Sequence, residues 1–169
     1  YVHGNAQKAT IIHAGKLLAV PGEGIKTEKT IIVQSGMISS IEDGFKSPED
    51  LGYSEDSIQL IDLRKKFILP GLIDMHTHIT GERDPERNPH EWTTLYDEDF
   101  AFRAIPYLNA TLMAGFTTVR NLGASYTNIN AIKRAINSGI IDGPRIIAST
   151  GAVSATGGHG DFHGYRTEI

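Results

Sequence analysis

Two histidines spaced two residues apart, His76 and His78, close the run Leu69-Pro70-Gly71-Leu72-Ile73-Asp74-Met75-His76-Thr77-His78-Ile79. Neutral imidazoles converging at a strand end form a chelate for Zn²⁺ or a similar divalent ion. The spacing predicts a buried strand over 71–79. Side chains on a strand alternate between faces, so Asp74, His76 and His78 are expected on one side. Ile73, Met75, Thr77 and Ile79 then take the other. A buried imidazole without a partner costs free energy, and a metal, a carboxylate or a backbone carbonyl would each satisfy it. The competing reading of the pair is two hydrogen-bonded core histidines. Asp74 also has two readings: it orients one of the imidazoles, or it accepts backbone N–H groups. Pro70-Gly71 ends the preceding structure and restarts the chain.

The elements that would carry this pair follow from the rest of the sequence. The chain has 169 residues, 40% of them hydrophobic, and a formal charge of -4. Such a length buries a real core. A mild, evenly spread acidity gives no reason to expect nucleic acid or an anionic membrane as a partner. No apolar run reaches the length of a bilayer span. The absence of cysteine removes disulfides, thiolate metal sites and cysteine nucleophiles, and leaves the compartment open between cytoplasmic and periplasmic or secreted. The chain starts at Tyr1, so a removed tag or signal peptide, or an excised piece, is expected, with residues 1–7 as a loose leader.

Residues 8–69 are expected to form a small β-sandwich, part of a composite domain. Thr10–Leu18 reads as a strand or a tight pair of strands, and Pro21–Gly24 as a turn. Thr30–Gln34 turns at Ser35-Gly36 into Met37–Ile41, a hairpin. An acidic, polar surface loop over 42–57 precedes two further short strands, Ser57–Leu63 and Lys65–Leu69.

From residue 70 the pattern changes to strand–helix–strand–helix–strand. A polar loop covers Gly81–Thr94. A helix is expected over Glu98–Met113, capped by Thr94 or Asp97, kinked by Pro106 near Ile105 and ended at Gly115. Phe116–Leu122 is the next strand. Asn128–Ser138 is an amphipathic helix with Ile129, Ile132 and Ile136 on one face and Gly139 as its stop. Ile146–Thr150 is a third strand, followed by a glycine-rich segment. Such alternation predicts parallel strands with right-handed crossovers. His76 and His78, Arg120 with Asn121, and the segment after 150 all fall at strand C-terminal ends, the active face of a (β/α)₈ barrel. No dinucleotide fingerprint follows the first strand, which disfavours a doubly wound sheet.

These segments resemble the N-terminal part of an amidohydrolase-superfamily enzyme. Leu69–His78 is similar to that family's first barrel strand. Ala114–Asn121 resembles the second-strand motif of the branch that holds Xaa-Pro and Xaa-Arg dipeptidases and imidazolonepropionase-like proteins. Gly143–Ile146 and Thr156–Asp161 resemble the third strand and following loop of the dipeptidase group. One departure is Asn121, where many relatives carry an acidic residue.

The resemblance implies an α/β fold, the N-terminal part of a metal-dependent (β/α)₈ TIM barrel preceded by a small β-sandwich, with residues 70–169 as its first three β/α units. It implies that His76 and His78 are ligands of the more buried metal of a zinc centre, binuclear in the complete enzyme. The bridging carboxylated lysine, two further histidines and a catalytic aspartate would come from later strands, so no catalytic residue is expected in this chain. The implied reaction is hydrolysis of an amide C–N bond by metal-activated hydroxide, with a dipeptide or related small molecule as substrate, as in a dipeptidase or prolidase. The alternatives are a cyclic-amide hydrolase or deaminase of the same superfamily, or a non-catalytic fragment or scaffold module. Arg120 would hold a substrate carboxylate by a bidentate contact, or form a structural ion pair. His159, in a glycine-rich loop, would touch substrate, or lie idle on a surface loop. His163 is a weaker candidate, and His90 and His3 read as surface residues. Trp92 and Tyr96 would line the pocket mouth or pack the loop on the first helix. Because three β/α units cannot close a barrel, the remainder is expected from further sequence or from another chain, and a homo-oligomer is expected.

Overall fold

The computed structural model describes residues 9–81, 86, 91–149, 151 and 154–158. The chain divides into two compact units, Tyr1–Pro70 and Gly71–Ile169. Among the described residues no helix is long and apolar enough to cross a membrane.

The first unit is a four-stranded sheet in the order β3-β2-β1-β4, made of β1 (Ala9–Leu17), β2 (Lys26–Gln34), β3 (Met37–Asp43) and β4 (Ile58–Ile68). The β2–β3 hairpin turns at Ser35 and Gly36, both at positive φ (50° and 76°). Two such residues in succession give the turn whose twist matches its strands. β1 pairs antiparallel with β2 and parallel with β4. Among the described residues the sheet is thus a single layer, and its fourth strand does not enter through a hairpin. β4 also runs unbroken where alternation suggested two strands. The apparent break is a bulge: pairing jumps from Ala14 with Leu63 to Lys16 with Phe67. At that bulge a Cβ on Gly15 would lie 1.9 Å from the Arg64 carbonyl oxygen, so glycine is required there. Asp62 secures the bulged residue, accepting from Arg64 N (3.0 Å), Nε (2.9 Å) and Nη2 (2.7 Å). Ala14, Leu17 and Ile31 form the apolar centre of this unit. The 42–57 loop contains two short 3₁₀ turns, Glu49–Leu51 and Glu55–Ser57.

The second unit alternates strand and helix: β5 (Leu72–Thr77), α1 (Asp97–Met113), β6 (Phe116–Asn121), α2 (Tyr126–Asn137) and β7 (Arg145–Ala148). The strands are parallel, in the order β5-β6-β7. Leu108, Val119, Ile129 and Ile146 pack together with Ile79, Ala104 and Ile132, which fixes both helices on the sheet. Ile129, Ile132 and Ile136 form the expected inner stripe of α2. That helix ends through Gly139 at φ 69°, with Gly139 N–H on the Ile136 carbonyl (3.0 Å) and Ile140 N–H on that of Ala135 (2.9 Å). This is the paired C-terminal cap that a left-handed glycine permits.

Two details of α1 differ from the sequence expectation. Tyr96, rather than Thr94 or Asp97, is its N-cap. Its backbone N–H donates to Asp99 Oδ2 (2.9 Å) and its carbonyl accepts from Asp99 N–H (3.1 Å), so the reciprocal bonds select the start. Pro106 lies within the helix rather than restarting it, on the exposed face together with Phe102, where the loss of its N–H is least costly.

The N-termini of the two helices are latched through Asp97. Its Oδ2 accepts from Ser125 Oγ (2.6 Å) and from the Thr127 hydroxyl, and its carbonyl accepts from Asn128 Nδ2 (2.9 Å). The hydroxyl donors of Ser125 and Thr127 hold the Asp97 carboxyl below its usual value of 3.8. A carboxylate lowered on folding contributes stability that is complete above the unfolded value and is lost as pH falls through the folded one. Acid unfolding followed by circular dichroism should therefore show a component below about pH 4 that Asp97→Asn removes.

Gly71, at the entry to β5, backs onto β6. A Cβ there would meet Thr117 Oγ1 at 2.0 Å, Cγ2 at 2.3 Å and Cβ at 2.7 Å. Gly71→Ala is expected to cost about 1–3 kcal/mol by overpacking. Thr117→Gly in the same chain should make the combined loss smaller than the sum of the two single losses, as read by denaturant titration.

Candidate metal centre

His76 lies in β5 and His78 one residue beyond its end. Their ring centroids are 5.4 Å apart and the ring planes are inclined by 56°. Rings sharing one tetrahedral zinc through nitrogens at about 2.0–2.1 Å have centroids roughly 5 Å apart, so the observed spacing suits a common ion. Both residues are exposed, as are Leu72, Ile73 and Met75. No strand among the described residues pairs with the outer edge of β5, so the burial expected for this strand is not met within them.

Strict alternation also fails along β5. Its pairing with β6 shifts register between Leu72 and Ile73 and again between Asp74 and Thr77, so the opposed faces expected for 73–79 do not hold throughout. Asp74 takes the second of its two readings: its Oδ1 accepts the His76 backbone N–H at 2.9 Å.

The end of β5 is tied down by its neighbour. The Thr77 carbonyl accepts Leu122 N–H (3.0 Å), and Thr77 Oγ1 donates to the Arg120 carbonyl (3.3 Å). His78 Nδ1 lies 3.2 Å from the Gly123 carbonyl oxygen. A carbonyl only accepts, so this nitrogen carries the proton and a neutral ring leaves its lone pair on Nε2. That is the state a metal ligand needs, with its other nitrogen fixed by a backbone acceptor. The donor set is of the right chemistry for zinc but short of a full shell: among the described residues no group of three or more His, Cys, Asp or Glu converges on one point.

Sequence reading gave Asn121 no role, yet it joins all three strand ends. It is fully buried. Its Oδ1 accepts Ile79 N–H (2.7 Å), and its Nδ2 donates to the Gly123 carbonyl (3.3 Å). Its own carbonyl accepts both Ser149 N–H (2.9 Å) and Ser149 Oγ (3.0 Å). A signal existed: Asn121 shares strand parity with Val119, so it points into an apolar core where an amide requires partners.

Arg120 alternates with Val119 and Asn121, both buried, and is exposed on the sheet face away from the helices. No carboxylate among the described residues pairs with it, so the ion-pair reading of Arg120 finds no support there. His159, like His163, His90 and His3, lies outside the described residues, as does the Trp92 side chain. Tyr96 is exposed at the start of α1.

Residues 67–169 match the model of the amidohydrolase family. The chain is similar to a solved Xaa-Pro dipeptidase with methionine bound in its active site, with a TM-score of 0.79 and 35% identity over 95% of this chain and 38% of that one. It is 28% identical to ochratoxinase of Aspergillus niger over 92% of this chain and 31% of that protein. It is 27% identical to dihydroorotase of Trichlorobacter lovleyi over 89% of this chain and 31% of that protein. The chain thus spans about a third of the length of these curated relatives.

Proposed function

This chain belongs to the amidohydrolase family, and from that membership we propose that it supplies His76 and His78 as the first two ligands of a zinc-dependent hydrolase of amide C–N bonds. The observation that carries the reading is the ring pair, 5.4 Å apart, with the Nδ1 of His78 committed to a backbone carbonyl. A divalent ion held there supplies Lewis acidity, which acidifies water and polarises an amide carbonyl. The chain's own residues prepare that site. Gly123 fixes the proton of His78. Thr77 locks β5 against β6. Asp74 holds the backbone of His76. The family's barrel places such strand ends at the catalytic face. Later strands, from further sequence or a second chain, would complete the ligand shell and supply the catalytic aspartate. They would also pair with the open edge of β5 and cover Leu72, Ile73 and Met75.

Within that class we favour a dipeptide substrate. The Xaa-Pro dipeptidase likeness is closer in identity than either the ochratoxinase or the dihydroorotase likeness. Arg120, exposed at a strand end, is assigned to the substrate carboxylate through a bidentate contact. His159, in the glycine-rich segment after β7, is assigned a second substrate contact. The dihydroorotase likeness supports a cyclic amide as the second reading.

The test is a panel of Xaa-Pro dipeptides, their C-terminal amides and cyclic amides, assayed with the complete zinc-loaded protein. Hydrolysis of free dipeptides, abolished by chelation and restored by zinc, is the expected result. Arg120→Gln should raise KM for the free acids and leave that for the amides unchanged. A zinc-loaded protein inert to every dipeptide and active on cyclic amides would overturn the dipeptidase assignment.

A further inference from the structure

Of the two imidazoles, His78 is the one whose tautomer the fold determines, and the determinant lies one layer deeper. The Gly123 carbonyl that receives Nδ1–H from His78 also receives Nδ2–H from Asn121. The other end of the same amide, Oδ1, accepts the N–H of Ile79, the residue directly after His78. One buried side chain therefore holds both the backbone that carries His78 and the acceptor that orients its ring. Gly123 sits at φ 153°, a conformation that side-chain-bearing residues rarely adopt, so the loop presents its carbonyl in a form only a glycine readily sustains. The Asn121 carbonyl, fixed by Ser149 of the loop after β7, anchors the clamp to the third strand. Asn121 has no exposed surface and cannot itself reach a substrate.

We propose that Asn121 is a positioning residue for the metal centre. It sets the Nδ1–H tautomer and the placement of His78, and so tunes zinc affinity without touching zinc. The proposal rests on His78 being a ligand, and the experiment separates the two claims. The complete protein, labelled with ¹⁵N at histidine, is examined without metal by long-range proton–nitrogen NMR, with His78 assigned through His78→Gln. Zinc affinity is measured by competition with a chromogenic chelator.

The expected result is a wild-type His78 protonated at Nδ1. Asn121→Ala should give a mixture of tautomers and zinc binding weaker by about 10–100-fold, the usual penalty for losing a partner behind a ligand. Asn121→Asp, which keeps the acceptor facing Ile79, should recover part of that affinity. Val119→Ala, an equally buried change two residues earlier on β6, should leave both the tautomer and zinc affinity unchanged. A wild-type His78 protonated at Nε2 would overturn the proposal, even if Asn121→Ala fails to fold. Equal zinc affinities in Asn121→Ala and wild type would do so as well. Failure of the wild type to bind zinc would instead defeat the metal-centre reading itself.

Discussion

If His76 and His78 are ligands as proposed, the His76→Ala and His78→Ala proteins are each expected to lose zinc binding and roughly 10³-fold or more in kcat/KM. The estimate follows from the several kcal/mol that a metal contributes to the transition state, at about 1.4 kcal/mol per factor of ten. The metal-free stability of both variants should fall by less than that of a core truncation, since neither side chain belongs to the apolar cluster of the second unit. The combination separates a ligand from a structural histidine. A core histidine would show the reverse pattern, with stability falling and metal content unchanged. Zinc content by elemental analysis, chemical denaturation and dipeptide turnover on the same preparations give the comparison.

Ile129→Ala is expected to be the most damaging single truncation in the second unit. Ile129 is fully buried in α2 among Leu108, Val119 and Ile146. It therefore links the two helices and the central strand. Cutting it back leaves a cavity at the point where three elements meet, and the loss should be about 2–5 kcal/mol. For a chain of this size that corresponds to a fall in melting temperature of several degrees or more, at about 2–4 °C per kcal/mol. Ile140→Ala, three-quarters exposed just after the same helix, should shift the midpoint by less than about 0.5 kcal/mol. Similar losses at the two positions would contradict the packing described for α2.

The second unit was legible from sequence because its signals are local. Ile129, Ile132 and Ile136 repeat at helical spacing, and Gly115 and Gly139 stop both helices where a left-handed residue is needed. Phe116–Asn121 begins at an aromatic residue followed by the β-branched run Thr117-Thr118-Val119. The features that sequence misplaced depend on partners distant in the chain. The bulge at Gly15 exists because β4 pairs in parallel with β1, and nothing within Lys65-Lys66 announces it. The register shifts along β5 arise from its pairing with β6, which a reading of one strand alone does not reveal.

The candidate site divides along the same line. Two histidines spaced by two residues are visible in a string of letters. The carbonyl that chooses the tautomer of His78 is not, because Gly123 is 45 positions away and contributes no side chain. Asn121 was visible as a departure from a recognisable motif and, by its parity with Val119, as an amide on the core side of its strand. Its role appears once Ile79 and Gly123 are brought to the two ends of its amide. Arg120 and Asn121 are adjacent in sequence, yet one faces solvent and the other the core, so neighbouring polar residues on one strand acquire unrelated tasks.

The most direct test of the metal centre is a zinc-edge anomalous map of the complete protein crystallised with zinc. A peak bonded at about 2.0–2.1 Å to one ring nitrogen of His76 and to Nε2 of His78 is the expected result. Zinc bound elsewhere while these two rings coordinate nothing would contradict the assignment.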